Sequence, residues 1–158
     1  MLTLDTRDYG TIEYEESDLI HFTDGLFGFN ELKDYIPLVL DENEDNTILL
    51  LQSIENTDIA FVIINPFTLD PDYNPVLSPE ELSYLDVKSE NDLSYYVICV
   101  LRNNYLENTV NMKAPVVINP DKRIGMQVIL NQSEYDFRKK LSSFSTVQDG
   151  LPKAESNA

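Results

Sequence analysis

Asp41, Asn43 and Asp45 fall at the first, third and fifth positions of a calcium-loop pattern, and Asp70, Asp72, Asn74 and Glu81 at the first, third, fifth and twelfth. Oxygen ligands at those intervals are what a hard divalent cation requires. Both segments fail on the rest of the pattern. In the first, Asn46 stands where glycine makes the sharp turn and Gln52 where a glutamate should close the site. In the second, Pro75 takes the glycine position, and Glu81 is claimed by the helix start Ser78-Pro79-Glu80-Glu81. Other chemistries are short of parts. There is one histidine, His21, and one cysteine, Cys99, too few for a nucleophilic triad or for the four ligands of structural zinc. His21 lies between Ile20 and Phe22 and reads as a strand residue, and Cys99 lies inside an apolar run and reads as a buried, inert thiol. Five glycines contain no phosphate-cradling motif. Acidic pairs are plentiful among 28 Asp and Glu, but acid–base work needs a shaped pocket around them. The expectation is a protein with no catalytic residue, no metal and no cofactor.

What the carboxylates do together is electrostatic. The chain of 158 residues carries a net charge of −17. Residues 1–100 hold 22 acids and 3 bases, whereas residues 101–158 hold 6 and 8. A surface this acidic repels nucleic acid and favours a basic protein partner. The same excess also serves solubility, and charge alone does not separate the two readings. No apolar run approaches the roughly 18 residues of a membrane span, and the start Met-Leu-Thr-Leu-Asp lacks the pattern of a signal peptide. With a single cysteine, these features predict a cytoplasmic protein, monomeric when free, away from membranes. Length predicts one domain over residues 1–145 and a C-terminal tail over 146–158, where Gly150, Pro152 and small polar residues end the apolar pattern.

The elements that must carry these groups are mostly strands. Short β-branched and aromatic runs at 11–14, 18–22, 35–40, 47–53, 59–64, 95–101, 109–112, 115–119 and 124–130 are separated by turn residues. Ile48-Leu49-Leu50-Leu51 and Tyr95-Tyr96-Val97-Ile98-Cys99-Val100-Leu101 are apolar on both faces, so both faces need cover. The predicted fold class is mainly β: a single-domain β-barrel-like fold of antiparallel strands with one or two short helices. The helices are the one capped at Ser78, with Leu82 and Leu85 toward the core, and a short one from Asn30 to Tyr35. Ser133 to Ser143 fits neither period. Three surface segments are candidate partner contacts. Gly25-Leu26-Phe27-Gly28-Phe29 is either a tight turn with a core anchor or a display of Leu26 and Phe29 as exposed anchors. Asp41, Glu42, Glu44 and Asp45 form an acidic loop, and Asp70, Asp72 and Tyr73 lie in a proline-bounded one. Asn65 and Asn119 each precede proline and read as strand-end turn residues.

Five collinear segments go beyond composition. They are Gly25-Leu26-Phe27-Gly28-Phe29; Leu51-Gln52-Ser53 leading to Ala60-Phe61-Val62-Ile63-Ile64-Asn65-Pro66-Phe67; Thr109-Val110-Asn111; Ala114-Pro115-Val116-Val117-Ile118-Asn119; and Gln127-Val128-Ile129-Leu130 with Tyr135. In order and spacing they resemble the FliW flagellar assembly factor family from about residue 3 to residue 141. Two departures stand out: Phe27 replaces a usual proline, and Phe137-Arg138-Lys139-Lys140 replaces a usual Arg-His pair. The resemblance implies a non-enzymatic, β-barrel-like cytoplasmic protein that binds flagellin and, once released, binds the RNA-binding regulator CsrA and relieves its repression of flagellin translation. It implies a basic partner for the acidic surface, which either covers the RNA-binding surface directly or excludes RNA from elsewhere on CsrA. A flagellin export chaperone without a regulatory role is the alternative, and a small hydrolase a more distant one.

Overall fold

The computed structural model describes residues 2–7, 9–39, 48–100 and 107–144. The acidic loop of Asp41, Glu42, Glu44 and Asp45 and the predicted tail lie outside them. Two strands stand apart: among the described residues, β1 (Leu2–Thr6) and β2 (Gly10–Tyr14) pair only with each other. The next strands are β3 (Ile20–Phe22), β4 (Asp34–Val39), β5 (Ile48–Ser53), β6 (Ala60–Ile64) and β7 (Ser94–Val100). They are followed by β8 (Thr109–Val110), β9 (Val116–Asn119), β10 (Ile124–Gln127) and β11 (Lys139–Lys140).

Seven of these close a ring in the order β3-β4-β5-β6-β7-β9-β10 and back to β3. Six of its seams are antiparallel, and the seam between β10 and β3 is parallel, with His21 opposite Ile124 and Phe22 opposite Gly125. The expected barrel of antiparallel strands thus contains one parallel seam, and the reason is arithmetic. Directions cannot alternate all the way round a ring with an odd number of strands, so one neighbouring pair must run the same way. Outside the ring, β8 continues along β7 where β9 stops, and β11 pairs with β8.

Alternation along the strands builds two cores. Inside the barrel, Phe22, Tyr35, Leu49, Leu51, Ile63, Val116 and Ile118 pack with Leu26 and with the half-buried Phe61, Tyr96 and Ile98. The opposite faces of β6, β7 and β9 offer Ile64, Tyr95, Val97, Cys99 and Val117 to a second cluster outside the wall. That cluster is covered by Leu69, Tyr73, Leu77 and Leu85 from the segment between β6 and β7, and by Val128, Leu130 and Phe144 from the residues after β10. The two-faced apolar runs are therefore shared between both layers. Cys99 sits in the outer cluster, where burial pushes its thiol up to about 11.

Two helices punctuate the covering segment. The second, α2 (Pro79–Tyr84), begins as expected: Ser78 Oγ accepts from the Glu81 amide at 3.2 Å and Glu81 Oε1 accepts from the Ser78 amide at 2.7 Å. The first, α1 (Pro66–Leu69), is a single turn capped by Asn65, whose Oδ1 accepts from the Phe67 amide at 3.0 Å. The turn chemistry at Asn65-Pro66 is thus a helix start. No helix forms between Asn30 and Tyr35. The amides of Lys33 and Asp34 donate instead to the Glu55 carboxylate, and Lys33 O accepts from Phe22 N at 2.8 Å, which draws the segment into the β3–β4 ladder. Residues 133–143 form turns, β11 and one 3-10 turn at Leu141–Ser143.

Two buried tyrosines give the fold an alkaline limit. Tyr35 in the barrel and Tyr95 in the outer cluster have hydroxyls without a hydrogen-bond partner among the described residues. Both are pushed up to about 12, first by burial and then by Glu55 beside Tyr35 and Glu90 beside Tyr95. The folded state holds these protons more tightly than the unfolded chain, which releases them near 10.0. Their stabilising contribution is therefore whole below pH 10 and is lost as pH rises toward 12. Tyrosinate absorbance from this buried pair is expected to rise together with loss of the circular dichroism signal in one alkaline step. Absorbance from all the tyrosines complete before any loss of structure would refute it.

Candidate functional site

The candidate contact residues separate on the structure. Gly25 is buried with φ +66, and a Cβ there would lie 2.6 Å from Phe29 O and 2.7 Å from Asn30 Cα. Leu26 is wholly buried in the barrel core, which corrects its reading as an exposed anchor: the turn over residues 25–29 folds Leu26 inward and Phe27 outward. Phe29 is half-buried, its ring centroid 5.2 Å from that of Phe61. Tyr73 is also corrected. It is 4% exposed, its hydroxyl donates to Met112 O at 2.7 Å, and its ring stands edge-on to Tyr135 with centroids 4.7 Å apart. Pro71 and Pro75 bound that loop, and its tyrosine ring packs in the outer core.

Asp70 and Asp72 remain at the surface. Asp70 Oδ1 accepts from the Asp72 amide at 3.0 Å, and both line a basin of about 220 Å³. Glu134 and Asp136 complete its acidic lining, over a floor of Met112, Tyr135 and Phe144. Among the described residues, Lys139 is the one cation of that lining, its Nζ 4.5 Å from the Phe144 ring centre. Sequence reading did not find Glu134 and Asp136, because they lie more than 60 positions from Asp70 in a segment without a period.

A second, larger cavity of about 450 Å³ lies at the end of the barrel where β6 begins and β10 finishes. Phe27, Phe137 and Arg138 line it together with Phe61, Ile98 and Val100. The two basins share a ridge. Met112, Glu134, Tyr135, Asp136 and Lys139 face the acidic basin, whereas Asn111, Phe137 and Arg138 face the apolar groove. The ridge is pinned by Asp136 O, which accepts from the amides of Met112 and Lys113 at 3.1 and 3.2 Å, and by the pairing of Lys139 with Val110.

The polar residues that resemble catalytic or ligating groups are engaged otherwise. His21 Nδ1 lies 2.8 Å from Asp34 Oδ1 on the exposed face of β3, and Glu81 caps α2. Asn119 spends its side chain on structure: Nδ2 donates to Leu85 O at 2.8 Å, and Oδ1 accepts from the amides of Asp121 and Lys122. Among the described residues no three His, Cys, Asp or Glu side chains converge on one point a cation would occupy. No helix among them is long and apolar enough to cross a membrane.

Fold and surface together define a small closed-barrel protein that carries two unlike basins, one acidic and one largely apolar. The chain belongs to the FliW family. The family described as "FliW protein" matches residues 3–141. A flagellar assembly factor FliW of Caldanaerobacter subterraneus subsp. tengcongensis is 40% identical over 134 residues, covering 85% of this chain and 89% of that protein. One from Clostridium tetani is 39% identical, covering 87% of this chain and 93% of its own. The crystal structure of a flagellar assembly factor FliW superposes with a TM-score of 0.80 at 34% identity, covering 88% of this chain and 96% of that one.

Proposed function

We propose that this protein is a cytoplasmic flagellar assembly factor that works by binding two proteins in turn and catalyses no reaction. It holds flagellin; when flagellin is exported, the freed protein binds the RNA-binding regulator CsrA and lifts its repression of flagellin translation. The observation that carries this reading is the segregation of the surface. Four carboxylates gather around one basin while the groove beyond the ridge is apolar, and residues 1–100 supply 22 of the 28 acids. A regulator that attracts RNA presents basic surface, for which the acidic side is the electrical complement. An apolar contact suits a partner that must be released intact and kept from aggregating.

Charge contacts between exposed groups weaken as salt rises, and apolar ones do not. Pull-downs from a flagellated host at about 50 mM and at about 500 mM salt, where screening lengths differ roughly threefold, are expected to lose CsrA and keep flagellin at the higher concentration. Retention of both, or loss of both in parallel, would contradict the division of labour. Neutralising Asp41, Glu42, Glu44 and Asp45 together is expected to weaken CsrA binding. A protein acting only as an export chaperone would bind CsrA no more tightly than that variant does.

A further inference from the structure

The groove beyond the ridge has the chemistry of an anchor site. Phe27, Phe137 and Val100 are 48%, 50% and 44% exposed, and all three line it. Exposed aromatic rings lining one cavity leave apolar area in water that a partner would cover, and clustered aromatics with an arginine are what interface centres favour. The segments that carry these aromatics are held in place by hydrogen bonds. Phe27 is carried on a turn whose glycines Gly25 and Gly28 both take positive φ, and its amide donates to Gln127 Oε1 at 3.0 Å. Gln127 is itself buried and donates from Nε2 to Ala114 O at 3.1 Å. On the other side, Phe137 and Arg138 follow directly on Asp136, whose carbonyl fixes the ridge.

Charge selects the occupant. Among the described residues, Arg138 is the only charged group lining the groove, no carboxylate lines it, and no ion pair to its guanidinium is formed. In a chain of net charge −17 with 28 acids, an arginine left without a carboxylate beside an apolar groove is set for a carboxylate from outside. We infer that this groove docks a segment of another protein that presents apolar side chains to Phe27 and Phe137 and one carboxylate to Arg138. This deepens the two-partner reading above and rests on its apolar contact at this groove; the salt-dependent pull-down tests that reading, and the peptide selection below tests this one.

The test uses a displayed library of random 12-residue peptides selected on the full-length protein. Selected peptides are expected to combine large apolar residues with Asp or Glu, and to bind the Phe27→Ser/Phe137→Ser variant at least about tenfold more weakly. Selection on Arg138→Glu is expected to return Lys or Arg in place of the acid. Both ring substitutions are at half-exposed positions, so melting temperatures within a few degrees of the parent would show that folding is kept. The inference is overturned if the peptides bind the double serine variant as tightly as the parent, or if reversing Arg138 leaves their charge unchanged. It is overturned equally if sedimentation shows a concentration-dependent dimer that the serine variant abolishes, since the groove would then belong to a second copy of this chain.

Discussion

Gly25→Ala is expected to lower stability by roughly 3–5 kcal/mol and the melting temperature by roughly 10 °C, more than any conservative surface change. Two costs add. The residue sits at φ +66, a left-handed conformation that disfavours a side chain, and the new methyl would meet Phe29 O, Asn30 Cα and Asn30 O at 2.6–2.8 Å. All three are backbone atoms, so no rotamer change relieves the contact. The turn is also held from both ends: Gly25 N donates to Phe22 O at 2.9 Å and Phe29 N to Leu26 O at 2.8 Å. Gly28 is the control. It has φ +85, but a Cβ there would meet nothing within 4 Å, so Gly28→Ala should carry only the conformational part, about 1–2 kcal/mol. Urea unfolding of both variants measures the difference, and equal losses would show that the backbone crowding at Gly25 is relieved by movement of the turn.

The second large effect is expected at the parallel seam. Gly125 lies in β10 opposite Phe22, and a Cβ on it would stand 2.6 Å from Phe22 Cε2 and 2.9 Å from Cζ. That ring is wholly buried and stands edge-on to Tyr35, with centroids 5.5 Å apart, so it has nowhere to turn. Overpacking of this kind costs about 1–3 kcal/mol, and Gly125→Ala should fall at the upper end. Phe22→Leu alone should cost roughly 1–2 kcal/mol by leaving space in the barrel. Combined, the two should cost at least about 1 kcal/mol less than their sum, because the smaller side chain makes room for the methyl. Additive losses would mean that the glycine is needed for something other than the ring beside it.

Much of this architecture was legible in local pattern. The nine strands expected from β-branched runs are all present, with edges shifted by a few residues, and the Ser78 capping box starts the helix it announced. Leu32 and Tyr35 show where local pattern misled: three apart, they suit a helix face, but the Glu55 carboxylate and the β5 ladder reach this segment from elsewhere in the chain. β1 and β11 went unread because Leu2–Thr6 is half polar and Lys139–Lys140 is only two residues long. At the surface, Asp70 and Asp72 line a basin whereas Leu26 and Tyr73 are buried, since an apolar residue in a turn can point either way until the packing decides. Phe27, Phe137 and Arg138 meet only because the barrel closes, and no local signal joins positions that far apart.

The odd ring has a kinetic meaning as well. β4, β5, β6 and β7 are neighbours both in sequence and in space, so their seams can form as soon as residues 34–100 are available. The seam that joins His21 to Ile124 must wait for nearly the whole domain, and loop closure over that span is what slows high-contact-order folds to milliseconds or longer. β3 and the glycine turn behind it therefore spend the time of synthesis unpaired on one side, and the last strand of the ring to arrive, β10, both seals the barrel and brings Gln127 to the Phe27 amide. The aromatic wall of the groove is thus completed only when folding is, so a nascent or partly folded chain cannot present it.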